Sequence, residues 1–151
     1  MPIETDINQL KFRNIYQKSL INFIYTYNWM NEKVKAFFDQ HNITAQQFNI
    51  LRILRGAGKP ISTLQIRQRM LDKMSDTSRI VDRLVLKGLV KKTICPTDKR
   101  LVDISITEKG KKLLEVIDKY EGEMDAIFGN ISESDAKTLN KLLDKIRGSV
   151  E

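Results

Sequence analysis

Cysteine and histidine are almost absent from this chain, which has one of each among 151 residues. A single cysteine cannot form a disulfide within the chain. One Cys with one His also cannot complete the tetrahedral nitrogen and sulfur shell of a structural zinc site. We therefore expect no metal and no cofactor. The sequence also lacks a signal peptide at its start and any apolar run of the roughly 18 residues needed to span a membrane. These absences predict a soluble protein of the cytoplasm with no membrane partner.

The excess positive charge lies in one segment, residues 59–100, which we call the basic window. The window contains eleven Lys and Arg residues and four Asp, and its net charge of +7 equals that of the whole chain. The rest of the sequence is therefore neutral overall. A neutral body with one basic segment suits a polyanionic partner, although a solvated basic face gives the same pattern.

Apolar periodicity predicts a mainly helical chain. The first predicted helix runs from about residue 6 to residue 40, and its apolar side chains have the alternating spacing of four and three of a heptad seam. Two shorter helices follow, with Thr44 and Ser62 as their N-caps. Asp72 is the predicted N-cap of a fourth helix, and Gly88 is its predicted end. The side chains predicted to point inward from the third and fourth helices are Leu64, Ile66, Met70, Leu71, Met74, Ile80, Val81, Leu84 and Val85.

Residues 89–95 and 101–107 alternate in polarity, which predicts two strands. The residues between them have turn chemistry, so the strands form a hairpin with a basic tip. A fifth helix begins after Thr107, and a sixth begins after Ser132, which has Asp135 three positions on. We found no interdomain linker, and we therefore expect a single domain over residues 1–151.

Two helices joined by a short turn, followed by a basic hairpin, describe a winged helix-turn-helix. The predicted fold is mainly α with a small β-hairpin wing, and the winged lobe spans about residues 44–107. The fourth helix offers Ser, Thr and Arg side chains of the types that reach base edges and phosphates in the major groove. Its predicted exposed positions are Ser75, Thr77, Ser78, Arg79 and Arg83. The alternative is three helices and a hairpin with a solvated basic face.

Four strings of residues resemble the MarR family of bacterial transcription factors, the multiple-antibiotic-resistance regulators. They are Ser78 to Leu84, Lys87 to Val90, Pro96 to Arg100, and Ile106 to Gly110. The resemblance implies a homodimer in which long helices, at about residues 6–40 and 108–150, interlock. It also implies two winged lobes that straddle a palindromic operator in double-stranded DNA. The implied function is a ligand-released homodimeric repressor, not an enzyme, so no catalytic residues are expected.

The resemblance also implies roles for individual residues. The fourth helix enters the major groove, and Arg100 at the wing reaches the minor groove while Asp98 helps to hold the tip. The family often has Thr where this chain has Ser78, which keeps the hydroxyl. Asp76 places an acid in the first turn of the recognition helix, and we expect it to face away from the phosphates. The complete predicted DNA-binding set is Lys73, Ser75, Thr77, Ser78, Arg79, Arg83, Asp98, Lys99 and Arg100.

The first helix has more aromatic residues than a dimer seam requires. Core and interface packing explain most of them, but members of the family commonly bind small aromatic effectors between the dimer helices and the winged lobe. The resemblance therefore places a candidate effector pocket at Tyr27, Met30 and Phe48. Cys95 is interpreted as structural, because redox-sensing members usually place their reactive cysteine near the N-terminus.

Other function classes fit less well. Single-stranded nucleic acid binding depends on aromatic stacking, and all eleven aromatic residues lie outside the basic window. His41 has no second histidine or activated cysteine with which to form a catalytic pair. The remaining alternative is a winged-helix module that only contacts proteins. Salt dependence discriminates between the two, because a protein contact would not weaken steeply with salt.

Overall fold

Helices account for most of the computed structural model, which describes residues 1–94 and 96–149. Cys95, interpreted above as structural, lies outside the described residues. None of the helices in the described part of the chain has both the length and the apolar character needed to cross a membrane. In chain order the elements are α1 (Ile3–Asp6), α2 (Ile15–Asp39), α3 (Ala45–Ala57), β1 (Ile61–Ser62), α4 (Thr63–Arg69), α5 (Thr77–Leu86), β2 (Val90–Ile94), β3 (Val102–Ile106), α6 (Glu108–Asp118), α7 (Glu121–Asp125), a 3₁₀ turn (Ala126–Phe128) and α8 (Glu133–Ile146).

The long N-terminal helix starts later than predicted. The predicted start at residue 6 is wrong, because α1 ends there and residues 7–14 are not helical. Asn14 is the N-cap of α2, and its side-chain oxygen accepts a hydrogen bond from the Gln17 backbone N–H at 2.9 Å. The Gln17 side chain in turn accepts from the backbone N–H of Arg13 at 2.6 Å. These two hydrogen bonds satisfy backbone N–H groups at the start of α2. Apolar periodicity alone does not show at which residue the helix starts.

The caps predicted for the next two helices are confirmed. Thr44 and Gln47 form a capping box at α3, and Ser62 and Gln65 form one at α4. In each box the two side chains satisfy backbone donors that the helix itself leaves without partners. Gly88 follows α5 with a φ of 71°, the left-handed conformation that glycine adopts without strain. The predicted end of α5 is therefore also confirmed.

The core of the winged lobe lies where α3, α4 and α5 meet the sheet and α6. Leu64 and Leu71 were predicted to be part of this core, and both predictions are wrong because the two side chains are exposed. Val85 is also exposed. The least exposed side chains in this core are Ile50, Leu51, Ile66, Met70, Val81, Leu84, Ile104, Leu114 and Ile117.

The predicted hairpin is part of a three-stranded antiparallel sheet with the order β1-β3-β2. In the β2–β3 pair Val90 lies opposite Ile106 and Ile94 lies opposite Val102. The strand β1, which pairs Ile61 with Ile104, was not predicted from the sequence. A strand of two residues is too short to show alternation. Its pairing nevertheless makes β3 the central strand.

The C-terminal helices are more broken than the sequence predicts. The fifth predicted helix ends at Asp118, and α7 resumes after Lys119 and Tyr120. Gly122, a poor helix former, lies within the short α7. The caps at either end of this region are as predicted, with Thr107 at α6 and Ser132 with Asp135 at α8.

Gly110 lies where α6 crosses the start of β2, and the space there admits no side chain. A Cβ atom on Gly110 would lie 2.4 Å from the carbonyl oxygen of Leu89 and 2.7 Å from the Ile106 side chain. The Leu89 carbonyl cannot move freely, because it accepts a hydrogen bond from the Thr107 backbone N–H at 3.0 Å. The packing of α6 on the wing therefore requires glycine at this position.

We expect Gly110→Ala to lower the free energy of unfolding by roughly 1–3 kcal/mol, because the backbone must shift to relieve the clash. Gly122→Ala is the matched control, since a Cβ there meets nothing within 4 Å. The control should be neutral or stabilising by about 0.5–1 kcal/mol. Chemical denaturation of both variants measures the difference, and equal stabilities would contradict the packing assigned to Gly110.

Candidate nucleic-acid interface

The predicted recognition helix, α5, begins at Thr77, and Asp76 is its N-cap. The Asp76 carboxylate accepts a hydrogen bond from the Arg79 backbone N–H at 3.2 Å. The prediction that Asp72 caps this helix is therefore wrong, as is the placement of Asp76 within its first turn. Both residues are chemically suited to an N-cap. The helix starts at the later one, which leaves residues 72–75 to form a separate turn.

The two faces of α5 have opposite character. The inner face packs into the lobe core through Ile80, Val81 and Leu84, while the outer face presents side chains to solvent. The exposed polar and charged residues of this outer face are Ser78, Arg79, Asp82 and Arg83. An amphipathic helix of this kind can hold its core contacts while its outer face meets another molecule.

Thr77 was predicted to be an exposed position of this helix, and that prediction is wrong. Its side chain is only 3% exposed, because Thr77 lies on the same face as Ile80, Val81 and Leu84. Its hydroxyl oxygen is buried with no hydrogen-bond partner among the described residues. Thr77 therefore belongs to the lobe core.

The turn before α5 is built around Asp72. The Asp72 side chain accepts a hydrogen bond from the Met74 backbone N–H at 3.0 Å. The Asp72 backbone carbonyl accepts from the hydroxyl of the half-buried Ser75 at 2.7 Å. Lys73 is exposed, and its ammonium group donates to the Gln68 carbonyl. Met74 was predicted to point inward, but this turn holds it in solvent.

An ion pair between Asp98 and Arg100, two positions apart in the sequence, holds the wing tip. The Asp98 carboxylate accepts from the Arg100 backbone N–H at 3.0 Å and from the Arg100 Nε–H at 3.1 Å. These hydrogen bonds hold the pKa of Asp98 below its ordinary value. Arg100 is nevertheless 90% exposed along its side chain, and Lys99 beside it is also exposed. The tip therefore presents two cations on a turn fixed by one carboxylate.

Further ion pairs brace the lobe. Lys92 on β2 pairs with Asp82 on the outer face of α5, so one cation of the wing and one acid of the recognition helix neutralise each other. Arg55 on α3 forms a forked pair with Asp118 at the end of α6, with N–O distances of 2.7 and 3.2 Å. All the cations of the basic window except the half-buried Lys87 are exposed.

A groove of about 770 Å³ separates α2 from the lobe. Tyr27, one of the three candidate effector residues, lies in its wall together with Phe38, Met70 and Lys73. Phe48 packs against Phe38, with ring centroids 4.6 Å apart. The third candidate, Met30, is half-buried on α2. The structure thus brings Tyr27 to the groove and gives Phe48 indirect contact with it.

Comparison with known proteins agrees with this architecture. A family model described as the MarR family matches residues 41–101. The multiple antibiotic resistance protein MarR of Escherichia coli is 30% identical over 123 residues, which cover 78% of this chain and 85% of that protein. The chain belongs to the MarR family.

One further relative and one solved structure extend the match of this MarR-family chain. The HTH-type transcriptional regulator MhqR of Bacillus subtilis is 27% identical over 135 residues, covering 86% of this chain and 92% of that protein. The crystal structure of a MarR mutant from E. coli complexed with operator DNA aligns with a TM-score of 0.73 and 25% identity, covering 82% of this chain and 89% of that one. The predicted winged-helix fold and the predicted transcriptional regulator are both confirmed.

We expect Thr77→Val to leave the affinity for DNA unchanged, because the side chain it replaces is buried. The free energy of unfolding should stay the same or rise by about 1 kcal/mol, since the variant removes a buried hydroxyl that lacks a partner. Ser78→Ala is the matched control, because it removes the adjacent, exposed hydroxyl. Thermal denaturation and DNA titration of both variants measure these effects. A large loss of DNA affinity in Thr77→Val alone would show that Thr77 turns outward on binding.

Proposed function

We propose that this MarR-family chain is a homodimer that binds a palindromic operator in double-stranded DNA, and that it is a repressor released by a small aromatic effector. The observation that supports this proposal most directly is that α5 is amphipathic. One face of this helix is buried core, and the other presents Ser78, Arg79 and Arg83 beside a basic wing. This is the combination that a recognition helix needs.

Duplex DNA suits this surface better than a single strand. Single-strand binding relies on aromatic side chains that stack on bases, and the basic window contains none. The window has instead hydroxyl and guanidinium groups, which read base edges and contact phosphates. The related E. coli MarR structure was solved as a complex with operator DNA, which supports the same class of partner.

The proposal assigns different roles to the two parts of the surface. The exposed face of α5 at Ser78 and Arg79 enters the major groove and reads base edges. Arg100, held at the wing tip by Asp98, enters the minor groove, where contacts report groove width and backbone position. Lys73 before α5 and Lys99 at the wing tip contact phosphates.

Exposed apolar residues on the long helices support a dimer. We propose that α2 and the chain from about residue 108 to residue 150 form its interface, and that the lobe at about residues 44–107 binds the DNA. Many exposed large apolar side chains on the same few helices are typical of a protein interface. The exposed large apolar residues of this region include Ile15, Tyr16, Leu20, Phe23, Ile24, Tyr27, Val116, Tyr120, Phe128, Ile131, Leu139, Leu142 and Ile146.

The groove between α2 and the lobe is the proposed effector site. Tyr27 and Phe38 supply aromatic faces, and Ile43 and Met70 supply apolar surface. This lining suits a small aromatic molecule. Lys73 belongs both to the groove wall and to the proposed DNA-contacting set, so an effector bound here would share a residue with the DNA site.

We expect Arg100→Ala to weaken binding to operator and to random duplex by similar factors, because the minor groove carries little sequence information. Ser78→Ala and Arg79→Ala should instead reduce the preference for operator by roughly 1–3 kcal/mol per lost base contact. The affinity of the wild type should fall by roughly 10³ or more between about 50 and 200 mM salt. Arg100→Ala should flatten that salt slope by about one unit per lobe. Titrations of each variant with both duplexes, beside its melting temperature, make the comparison.

The opposite pattern, in which Arg100→Ala alters sequence choice and the α5 variants do not, would show that the groove assignments are wrong. A lower melting temperature for Arg79→Ala with an unchanged preferred sequence would mean that Arg79 only shapes the lobe. The carboxylate next to Arg79 is that of Asp76, and the Arg79 Nε atom lies 3.9 Å from the Asp76 Oδ2 atom. Salt-insensitive binding, or no binding to any duplex, would favour a winged-helix module that contacts only proteins.

We expect Leu142→Asp to dissociate the dimer, because it places a charge without a counter-charge in an apolar interface, at a cost of several kcal/mol. Leu86→Asp is the control, since Leu86 is an exposed leucine of α5 outside the proposed interface. Sedimentation at micromolar concentration distinguishes dimer from monomer. A wild-type monomer that still binds a palindrome tightly would contradict the proposed interface.

A further inference from the structure

Met74 is 94% exposed, although it is a large apolar residue beside the recognition helix. It lies between α4 and α5, two residues before the N-cap of α5. Isolated exposed apolar side chains are common on protein surfaces. Two features distinguish Met74 from other exposed apolar side chains. They are the hydrogen-bonded turn that contains it and the polar and basic residues close to it in the sequence.

The turn fixes the backbone on both sides of Met74. The Asp72 carboxylate accepts from the Met74 backbone N–H at 3.0 Å, and the Asp72 carbonyl accepts from the backbone N–H of Ser75 at 3.3 Å. The Asp72 carboxylate also accepts from the side-chain amide of Gln46 on α3 at 3.3 Å. The exposure of Met74 therefore results from a braced turn that is tied to the lobe.

The residues close to Met74 in the sequence suit a nucleic acid surface. Lys73 precedes it, and the exposed Ser78 and Arg79 follow in the first turn of α5. In a helix-turn-helix the N-terminal residues of the recognition helix contact base edges, and Met74 lies two residues before the N-cap of α5. The major groove displays one prominent apolar group, the C5 methyl of thymine, and apolar side chains recognise it by contact.

We propose that Met74 is a specificity-determining residue that packs against the C5 methyl of a thymine in each half-site of the operator. This inference rests on the proposed function, since it requires the N-terminus of α5 to lie in the major groove. Met74 is not among the residues that line the groove beside α2, although Leu71, Asp72 and Lys73 are. An effector in that groove would therefore not cover Met74, whereas a base edge in the major groove would.

The test removes the methyl group from the DNA and the thioether side chain from the protein, separately and together. The DNA is an operator selected by the wild-type protein from random duplexes, in which each thymine is replaced in turn by deoxyuridine. The proteins are the wild type, Met74→Ala and Leu86→Ala. Leu86 is the matched control because it is 88% exposed at the other end of α5.

We expect the wild type to lose affinity by roughly fourfold per half-site at one symmetric thymine position, the loss that corresponds to one buried methyl group. Met74→Ala should bind the unmodified operator less tightly and should not respond to deoxyuridine at that position. It should keep the wild-type response at every other thymine and the wild-type affinity for random duplex. Leu86→Ala should reproduce the full wild-type profile.

Two results would overturn the inference. One is a wild type that responds to deoxyuridine at no position, and the other is a Met74→Ala variant with the same profile as the wild type. If the wild type shows no preference for any selected duplex, the proposed function fails, and the inference fails with it. These outcomes are distinguishable because the first two require a protein that binds its operator and the third does not.

Discussion

The recognition helix and the C-terminal helices are joined by hydrogen bonds between the end of α5 and the start of α6. The Thr107 hydroxyl donates to the Gly88 carbonyl at 2.7 Å, and the Lys109 ammonium donates to the Lys87 carbonyl at 2.8 Å. The same hydroxyl accepts from the Gly110 backbone N–H at 3.2 Å and so caps α6. Carbonyls at the end of one helix thereby help to position the next. The orientation of the proposed recognition helix and the direction of the proposed dimer helix consequently depend on the same few residues.

Most of the fold could be predicted from short-range signals. The capping boxes at Thr44 and Ser62, the left-handed Gly88 and the alternating strands each act within a few residues, so their patterns are visible in the sequence. The predictions were wrong where two residues could each cap the same helix, or where a strand pairs with residues far along the chain. Asp72 and Asp76 both have N-cap chemistry, and only the packing of α5 decides between them. The pairing of β1 with β3 depends on residues about forty positions apart.

The chemical types at the candidate site were more predictable than their orientations. The basic window identified the surface, because an excess of charge is a property of composition. The buried side of α5 is set by Ile80, Val81 and Leu84, and Thr77 lies on the same face one turn earlier, although its polar side chain suggested exposure. Met74 lies before the helix begins, so helical periodicity does not apply to it. Thr77 and Met74 were therefore misassigned in opposite senses, the first by residue type and the second by the position of the helix start. The exposed Ser78, Arg79 and Arg83 were assigned correctly, because Ile80, Val81 and Leu84 define the buried stripe independently of the cap.

The forked Arg55–Asp118 pair has a mechanical consequence for the proposed dimer, which has two lobes. The pair ties α3 of the lobe to the last residue of α6, so the eleven residues of α6, the first part of the proposed dimerisation region, form a stiff arm of about 16 Å that is fixed to the lobe. The chain leaves the helical path immediately afterwards, at Lys119 and Tyr120. A rotation of about 10° at these two residues would displace the far end of an arm of this length by about 3 Å. In the proposed dimer, the distance between the two recognition helices would therefore depend on the backbone angle at these two residues.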